Sequence, residues 1–532
     1  MQLGSLKPLR VAVAAIFLGL TAFLFLDFRE IGARSMADAV LYLQFAPSFL
    51  NFLEAATLGA TGFLIVIVLT LAFGRVYCST ICPLGALQDV LGRLGGRRRY
   101  RFTKAHNGIR YAVLGLTVVL FVAGSGLLLN LLEPFSNFGR ILSNLVRPLL
   151  LAANNLAALV FEQAGYHGLY RVRWPAIAPL SMGVALAMLL LVGWLSTGRG
   201  RLYCNTLCPV GTLLGILSRF SVFRIRFDSG ACRECGRCER VCKAECIDFK
   251  AQSVDASRCV GCYNCLAVCP DNALRLSGAS GSGSGGAGEN PGRRKFLIGL
   301  VAGSVGLAAT GANAASPPSA MSDAAPPPAV TPSRSTTVPE KRTSPVSPPG
   351  SRSIKHFTSR CTACHLCVSA CPSRVLAPSL FEYGLSGMMQ PRMSFQSAHC
   401  NFDCTVCSEI CPSGAILPLS KERKQRTQVG VAQFIRENCV VYTDNTNCGA
   451  CSEHCPTKAV HMVPYLNGPG RKLVIPEVNA AICVGCGGCE HACPTRPYKA
   501  IYVNGNPSHK LAEKPVVEKM EPLPDTGEDF PF

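Results

Sequence analysis

Four cysteines recur at metal-ligand spacing six times along this 532-residue chain, and nothing else in it restricts the fold as strongly. Two copies are regular: Cys361-x-x-Cys364-x-x-Cys367-x-x-x-Cys371-Pro372 and Cys483-x-x-Cys486-x-x-Cys489-x-x-x-Cys493-Pro494. In such a run three thiolates on a tight loop hold three irons of one 4Fe–4S cube, and the fourth ligates a neighbouring cube, so runs come in pairs. A zinc knuckle would account for one copy, not six. The 29 cysteines could also signal exported disulfides, but their local spacing argues for thiolate–metal ligation.

The run is that of bacterial ferredoxins, which makes the chain a carrier of single electrons. An inner pair comprises Cys232, Cys235, Cys238 and Cys242, then Cys259, Cys262, Cys265 and Cys269-Pro270. Swapped pairing gives one cube on Cys232, Cys235, Cys238 and Cys269 and another on Cys259, Cys262, Cys265 and Cys242. Lys243 stands where proline is usual, and an extra Cys246 comes next as a buried thiol or a substitute ligand. Four outer motifs lie further along. Between the two regular ones are Cys400, Cys404, Cys407 and Cys411, then Cys439, Cys448, Cys451 and Cys455. Because the irregular motifs sit inside the regular ones, nested pairing is expected: first with fourth, second with third. That would put Cys493 with Cys361, Cys364 and Cys367; Cys371 with Cys483, Cys486 and Cys489; Cys455 with Cys400, Cys404 and Cys407; and Cys411 with Cys439, Cys448 and Cys451. Six cubes result. Cys361-x-x-Cys364-His365 also matches a c-type haem string, and Cys400-x-x-x-Cys404-x-x-Cys407 a radical S-adenosylmethionine string, but full cubane motifs already claim these cysteines.

Charged residues are only 16% of the chain and hydrophobic ones 49%. Four apolar stretches approach the roughly 20 residues needed to span a bilayer: Val11–Phe28, Leu58–Phe73, Ile109–Leu132 and Leu180–Leu195. The net charge of +20 sits beside them. Arg75, Arg93, Arg97, Arg98, Arg99, Arg101 and Lys104 crowd the loop 74–108 against one acid, Asp89. Lys7 and Arg10 precede the first stretch, and Arg199, Arg201, Arg219, Arg224 and Arg226 come after the fourth. This is how topology is written, so no nucleic acid is expected as partner. The N-terminus, the 74–108 loop and the region after 199 should be cytoplasmic, and 133–177 should face outward.

Gly292-Arg293-Arg294-Lys295-Phe296-Leu297 opens a further apolar run ending at Ala312-Asn313-Ala314. It reads as a mid-chain twin-arginine signal, expected to stay as an anchor, or as a plain fifth span. Either way the chain beyond residue 314 should lie outside the cytoplasm. Expected boundaries are a four-span membrane domain 1–227, a cytoplasmic two-cluster ferredoxin 228–276, a Gly/Ser linker 277–292, the signal-like span 293–314, a disordered Pro/Ser/Thr-rich spacer 315–352, a periplasmic four-cluster ferredoxin 353–510 and an acidic tail 511–532. The fold class is multidomain, an α-helical membrane bundle of four plus one spans with bacterial-type α+β ferredoxin domains. Asn130 and Glu133, polar at the end of the third stretch, are weak quinone-site candidates against an interfacial role.

A second repeat lies in the membrane half. Gly74-Arg75-Val76-Tyr77-Cys78-x-x-x-Cys82-Pro83-Leu84-Gly85 matches Gly200-Arg201-Leu202-Tyr203-Cys204-x-x-x-Cys208-Pro209-Val210-Gly211. The i, i+4 spacing would put Cys78 with Cys82, and Cys204 with Cys208, on one helical face as a redox or metal site; a packing motif is the alternative.

Paired C-x-x-x-C-P repeats followed by a two-cluster ferredoxin resemble the NapH/MauN family of membrane ferredoxins, whose wider group includes the regulator NosR. Arg293–Ala314 with the four outer motifs resembles twin-arginine-exported periplasmic ferredoxins of the NapG/MauM type. The resemblance implies a fusion of the two, oxidising membrane quinol and passing electrons to a periplasmic reductase or cytochrome c-type acceptor, with the twin-arginine export machinery as partner and no catalytic residue of its own. The related assembly protein CcoG motivates the alternative, a maturation or regulatory factor reducing a metal such as copper.

Overall fold

The computed structural model describes residues 6–27, 34–55, 61–96, 99–165, 168, 170–172, 174, 179–278, 336–465 and 473–514. The signal-like segment 293–314, nearly all of the linker 277–292, the first part of the spacer and most of the acidic tail lie outside the described residues. The chain forms two units: residues 1–329, 350–392 and 406–418, and residues 330–349, 393–405 and 419–532.

The first unit begins with α1 (Leu6–Leu26), whose 21 residues reach about 30 Å, the thickness of a hydrocarbon core. Then come α2 (Arg34–Tyr42), α3 (Phe45–Ala55), α4 (Gly62–Phe73), α5 (Tyr77–Thr80), α6 (Pro83–Leu94), α7 (Asn107–Val122) and α8 (Leu127–Leu132). α9 (Pro134–Ile141) continues through a π-helical turn at Leu142–Val146 into α10 (Arg147–Gln163). α11 (Pro179–Arg199), α12 (Leu202–Thr206) and α13 (Pro209–Ser218) complete the helical part.

Among the described residues three helical runs are long and apolar enough to cross a membrane: α1, Pro134–Gln163 and α11. The first and last match expectation in place. The third expected span, Ile109–Leu132, is broken, because Gly124 turns left-handed at φ 85° and ends the helix between α7 and α8. Pro134–Gln163, expected as part of an outward segment, is a long helical run instead. Its charges do not keep it from packing: Asn137, Arg140 and Arg147 are buried. Pro134 takes the first helical position, and the Glu133 carboxylate caps it, accepting from the Phe135 and Ser136 amides at 3.0 and 2.5 Å.

β1 (Arg224–Phe227) pairs antiparallel with β4 (Leu274–Ser277) and closes the inner ferredoxin. Between its motifs β2 (Ile247–Asp248) turns back on β3 (Ser253–Val254). In the first outer pair β5 (Leu376–Pro378) pairs with β6 (Pro391–Met393). In the second unit β7 (Thr427–Phe434) pairs with β10 (Ile501–Leu511), and β8 (Val460–Tyr465) with β9 (Leu473–Val478), both antiparallel.

The spacer is not disordered throughout. Residues 336–349 strap the second unit: the Thr336 amide donates to the Arg496 carbonyl at 3.1 Å and Arg342 pairs with Glu490 at 2.6 Å. Ser347 Oγ lies 2.8 Å from His509 Nε2. Its Pro/Ser/Thr-rich composition marked this stretch as a linker, but the extended chain is held by backbone and polar contacts and by the buried Val346.

Candidate iron–sulfur centres

Each regular cysteine loop is shaped by two left-handed residues. After the first cysteine the second residue has positive φ: Glu234 (52°), Gly261 (62°), Ala363 (52°) and Gly485 (74°). So does the residue after the second cysteine: Gly236 (68°), Tyr263 (57°), His365 (65°) and Gly487 (80°). Such turns point successive amides inward as a nest for an anion, which suits a cluster of bridging sulfides and thiolates. Glu234, Tyr263, Ala363 and His365 adopt left-handed backbone although they carry a Cβ, the kind of strain that gathers at functional sites. The loops therefore fit a 4Fe–4S cube.

Cys232, Cys235, Cys238 and Cys269 surround one hollow, and Cys242, Cys259, Cys262 and Cys265 another. This is the swapped arrangement. Cys246 also lines the second hollow, its Sγ 3.6 Å from that of Cys242. Its thiol donates toward Cys259 and holds that group down to about 7, the behaviour of a neutral donor beside a thiolate.

The outer motifs do not nest. In the first unit Cys361, Cys364 and Cys367 lie within electrostatic reach of Cys411, not Cys493. In the second, Cys439, Cys448 and Cys451 face Cys493, and Cys483, Cys486 and Cys489 lie near Cys455. First pairs with second and third with fourth. The reason is the short strand pair between partners: β2–β3, β5–β6 and β8–β9 each return the chain from one motif to the next, so closure takes one short loop. Regularity of spacing, on which the nested expectation rested, carries no such information.

His365, of the haem-like string, has both ring nitrogens engaged, Nδ1 with Asn144 at 3.1 Å and Nε2 with the Met389 carbonyl at 2.8 Å. Burial lowers it to about 4, so the ring is neutral and neither nitrogen is left for an iron.

A buried acid gathers cations where the inner ferredoxin docks on the helical half. Asp89 meets Arg10 at 3.0 Å, Arg201 at 2.9 Å and Lys243 at 3.1 Å. Despite burial, these three cations hold its carboxyl well below the usual carboxylate range. Lys243, the departure from the expected proline, is thus a docking residue, and its carbonyl accepts from the Arg201 amide at 2.8 Å. Sequence reasoning missed this hub, although a lone acid in a strongly basic loop was the signal. The first outer motif docks at the other end. Glu54 pairs with Arg352 (3.0 Å) and His356 (3.3 Å). With its amide oriented to satisfy its neighbours, Asn130 donates to the Cys361 carbonyl at 2.7 Å. Asn130 and Glu133 are each 1% exposed, and both are engaged in hydrogen bonds within the fold.

The C-x-x-x-C-P repeats meet face to face. Arg75 Nη2 donates to the Cys204 carbonyl at 2.9 Å and Arg201 Nη1 to the Cys78 carbonyl at 2.7 Å. A Cβ on Gly85 would lie 2.3 Å from the Cys78 carbonyl oxygen, and one on Gly211 2.3 Å from that of Cys204. The residues shared by the two copies thus serve a reciprocal contact. Each repeat is the other's partner.

Comparison with known proteins gives the class. The chain matches four 4Fe-4S families: a 4Fe-4S binding domain at residues 55–101 and again at 180–228, 4Fe-4S dicluster domains at 360–416 and 446–496, and a further 4Fe-4S binding domain at 253–275. The two dicluster boundaries agree with the sequential pairing. Among relatives, it is 28% identical to the ferredoxin-type protein NapH of Escherichia coli over 43% of this chain and 71% of NapH. It is 28% identical to the methylamine utilization ferredoxin-type protein MauN of Methylobacillus flagellatus over 34% of this chain and 54% of MauN. It is 29% identical to the ferredoxin-type protein NapF of E. coli over 26% of this chain and 74% of NapF. No solved structure matches. The chain thus carries several 4Fe–4S domains joined to apolar helices and resembles a NapH/MauN-like polyferredoxin.

Proposed function

We propose that the chain is a membrane-bound iron–sulfur electron-transfer protein of quinol dehydrogenase type, relaying electrons between the quinone pool or cytoplasmic side and a periplasmic acceptor. The observation that carries this reading is the placement of cluster motifs at opposite ends of α1. Near its start Arg10 joins Asp89 and, through it, Lys243 of the inner ferredoxin. Near its end the Phe25 ring meets that of Phe135, tilted, at 5.6 Å, and the helix Leu366–Ala370 of the first outer motif packs on α1. The rise from Arg10 to Phe25 is about 22 Å, most of a hydrocarbon core.

On this reading 228–276 is cytoplasmic and 353–510 periplasmic, exported behind the twin-arginine-like segment as a NapG-type fusion. The ferredoxin motifs hold six cubes, and a quinone meets the membrane half. The acceptor is a periplasmic reductase or a cytochrome c-type protein. The carrier itself does no bond chemistry; clusters store electrons while the protein tunes them by hydrogen bonds and burial. Anaerobic titration of the purified chain with a short-chain quinol tests the reading. Bleaching of cluster absorbance is expected. Clusters that stay oxidised under excess quinol would sink the relay and favour a maturation factor.

A further inference from the structure

One buried core runs through the first unit from Cys262 and Cys265 of the inner ferredoxin, past Cys78, Cys82, Cys204 and Cys208, to Cys364 of the first outer motif. The ferredoxin reading uses the two ends and leaves the middle unexplained. The four middle thiols are each 2–3% exposed, and every one lies within electrostatic reach of the other three. The domain family matched at 55–101 and 180–228 meets only two cysteines in each copy, too few for a cube.

We infer that the two repeats together hold one further 4Fe–4S cluster, with Cys78 and Cys82 from one and Cys204 and Cys208 from the other as its four ligands. The reciprocal Arg75–Cys204 and Arg201–Cys78 contacts join the repeats. They also put two guanidinium groups beside four thiolates whose charge needs an offset. Cys82 and Cys208 each stand at the N-cap position of a helix opened by proline, and the Gly211 amide donates to Cys208 Sγ at 3.2 Å. A further polar group points in. Gln88 is 2% exposed, its Oε1 lies 3.4 Å from Cys204 Sγ, and its Nε2 has no partner. A buried amide donor left empty costs about 1–3 kcal/mol, and a cluster sulfur would satisfy it. Among the described residues no three Cys, His, Asp or Glu side chains close on a single-ion site, here or in the ferredoxin loops.

The centre lies between the two docked motifs. On the inner side Ser79 Oγ donates to the Gly261 carbonyl at 3.4 Å. On the outer side Asn137 links Tyr203, the neighbour of Cys204, at 3.1 Å to Arg140 at 2.6 Å, and Arg140 sits beside Cys361 and Cys364. A cube here takes one electron as a flanking cube is oxidised and returns to its oxidised form as the other is reduced.

Native mass spectrometry of the intact wild-type chain counts cubes directly. Seven are expected; six in a fully loaded chain would overturn the inference. In Cys82→Ser/Cys208→Ser, iron and sulfide should each fall by about four per chain while the electron paramagnetic signals of the other clusters persist. Unchanged iron in that variant, or stoichiometric copper at these thiols, would also overturn it. The inference deepens the relay but fails separately from it. Six cubes bleached by quinol leave the relay without this centre, and seven that quinol cannot reduce leave the centre without a quinol relay.

Discussion

Replacing Asp89 by asparagine should unseat the inner ferredoxin from the helices. The carboxylate faces Arg10, Arg201 and Lys243 at 2.9–3.1 Å, and its side chain is only 11% exposed. Asparagine keeps the shape and removes the charge, leaving three cations close together without an anion. Removing one partner of a buried ion pair costs about 3–5 kcal/mol. At about 2–4 °C per kcal/mol for a domain of this size, the midpoint of thermal cluster loss in detergent should fall by roughly 6–20 °C. Lys243→Met removes one cation of three and should cost less than half as much. The pH dependence is a further check. The folded carboxyl lies below its ordinary value of about 3.9, so its contribution is full above that value and fades only as pH falls through the folded one. The Asp89→Asn deficit should therefore be the same at pH 5 and pH 8. A midpoint within about 2 °C of wild type, or a Lys243→Met loss equal to that of Asp89→Asn, would refute the hub.

His509, which holds the strap at Ser347, is lowered by burial to about 4 against roughly 6.5 unfolded, so the folded unit binds fewer protons in that window and loses stability as pH falls through it. Trypsin should cut at Lys341 and Arg342 faster at pH 5 than at pH 7.5, and His509→Gln should flatten the difference. Cys493→Ser should perturb the cluster faced by Cys439, Cys448 and Cys451 and spare the one at Cys361, as magnetic spectra of single-cluster signals would show; the reverse would restore nesting. Gly211→Ala places a methyl 2.3 Å from the Cys204 carbonyl and should cost about 1–3 kcal/mol by thermal midpoint, whereas Gly193→Ala, with nothing within 4 Å, should be neutral or slightly stabilising. A reporter active only in the cytoplasm and fused after Phe532 should be silent; activity there would place the outer ferredoxin inside.

What the sequence carried was local. Cysteine spacing is a ligand geometry written in a few residues, so the 4Fe–4S character was legible without a fold. So were α1 and α11, where apolar length alone decides, and the matched C-x-x-x-C-P copies, visible as a repeat. The helical run 134–163 was not legible as a span, because its charges set it among the outward segments, whereas Asn137 and Arg140 are turned into the core. The ordered strap was hidden for the opposite reason: its composition suits a linker, and only its partners Asn438, Glu490, Arg496 and His509, all far along the chain, hold it.

Pairing and convergence belong to the tertiary structure. Which motif completes which cube depends on the strand pair that brings the chain back, and spacing inside a motif says nothing about that return. That Asp89 gathers Arg10, Arg201 and Lys243, or that Cys78 and Cys82 face Cys204 and Cys208, depends on groups far apart in the chain meeting in one buried core. The sequence determined what each segment can bind, because ligand chemistry is local. The fold alone decided which segments share a site, because burial selects among distant partners that the chain order leaves equivalent.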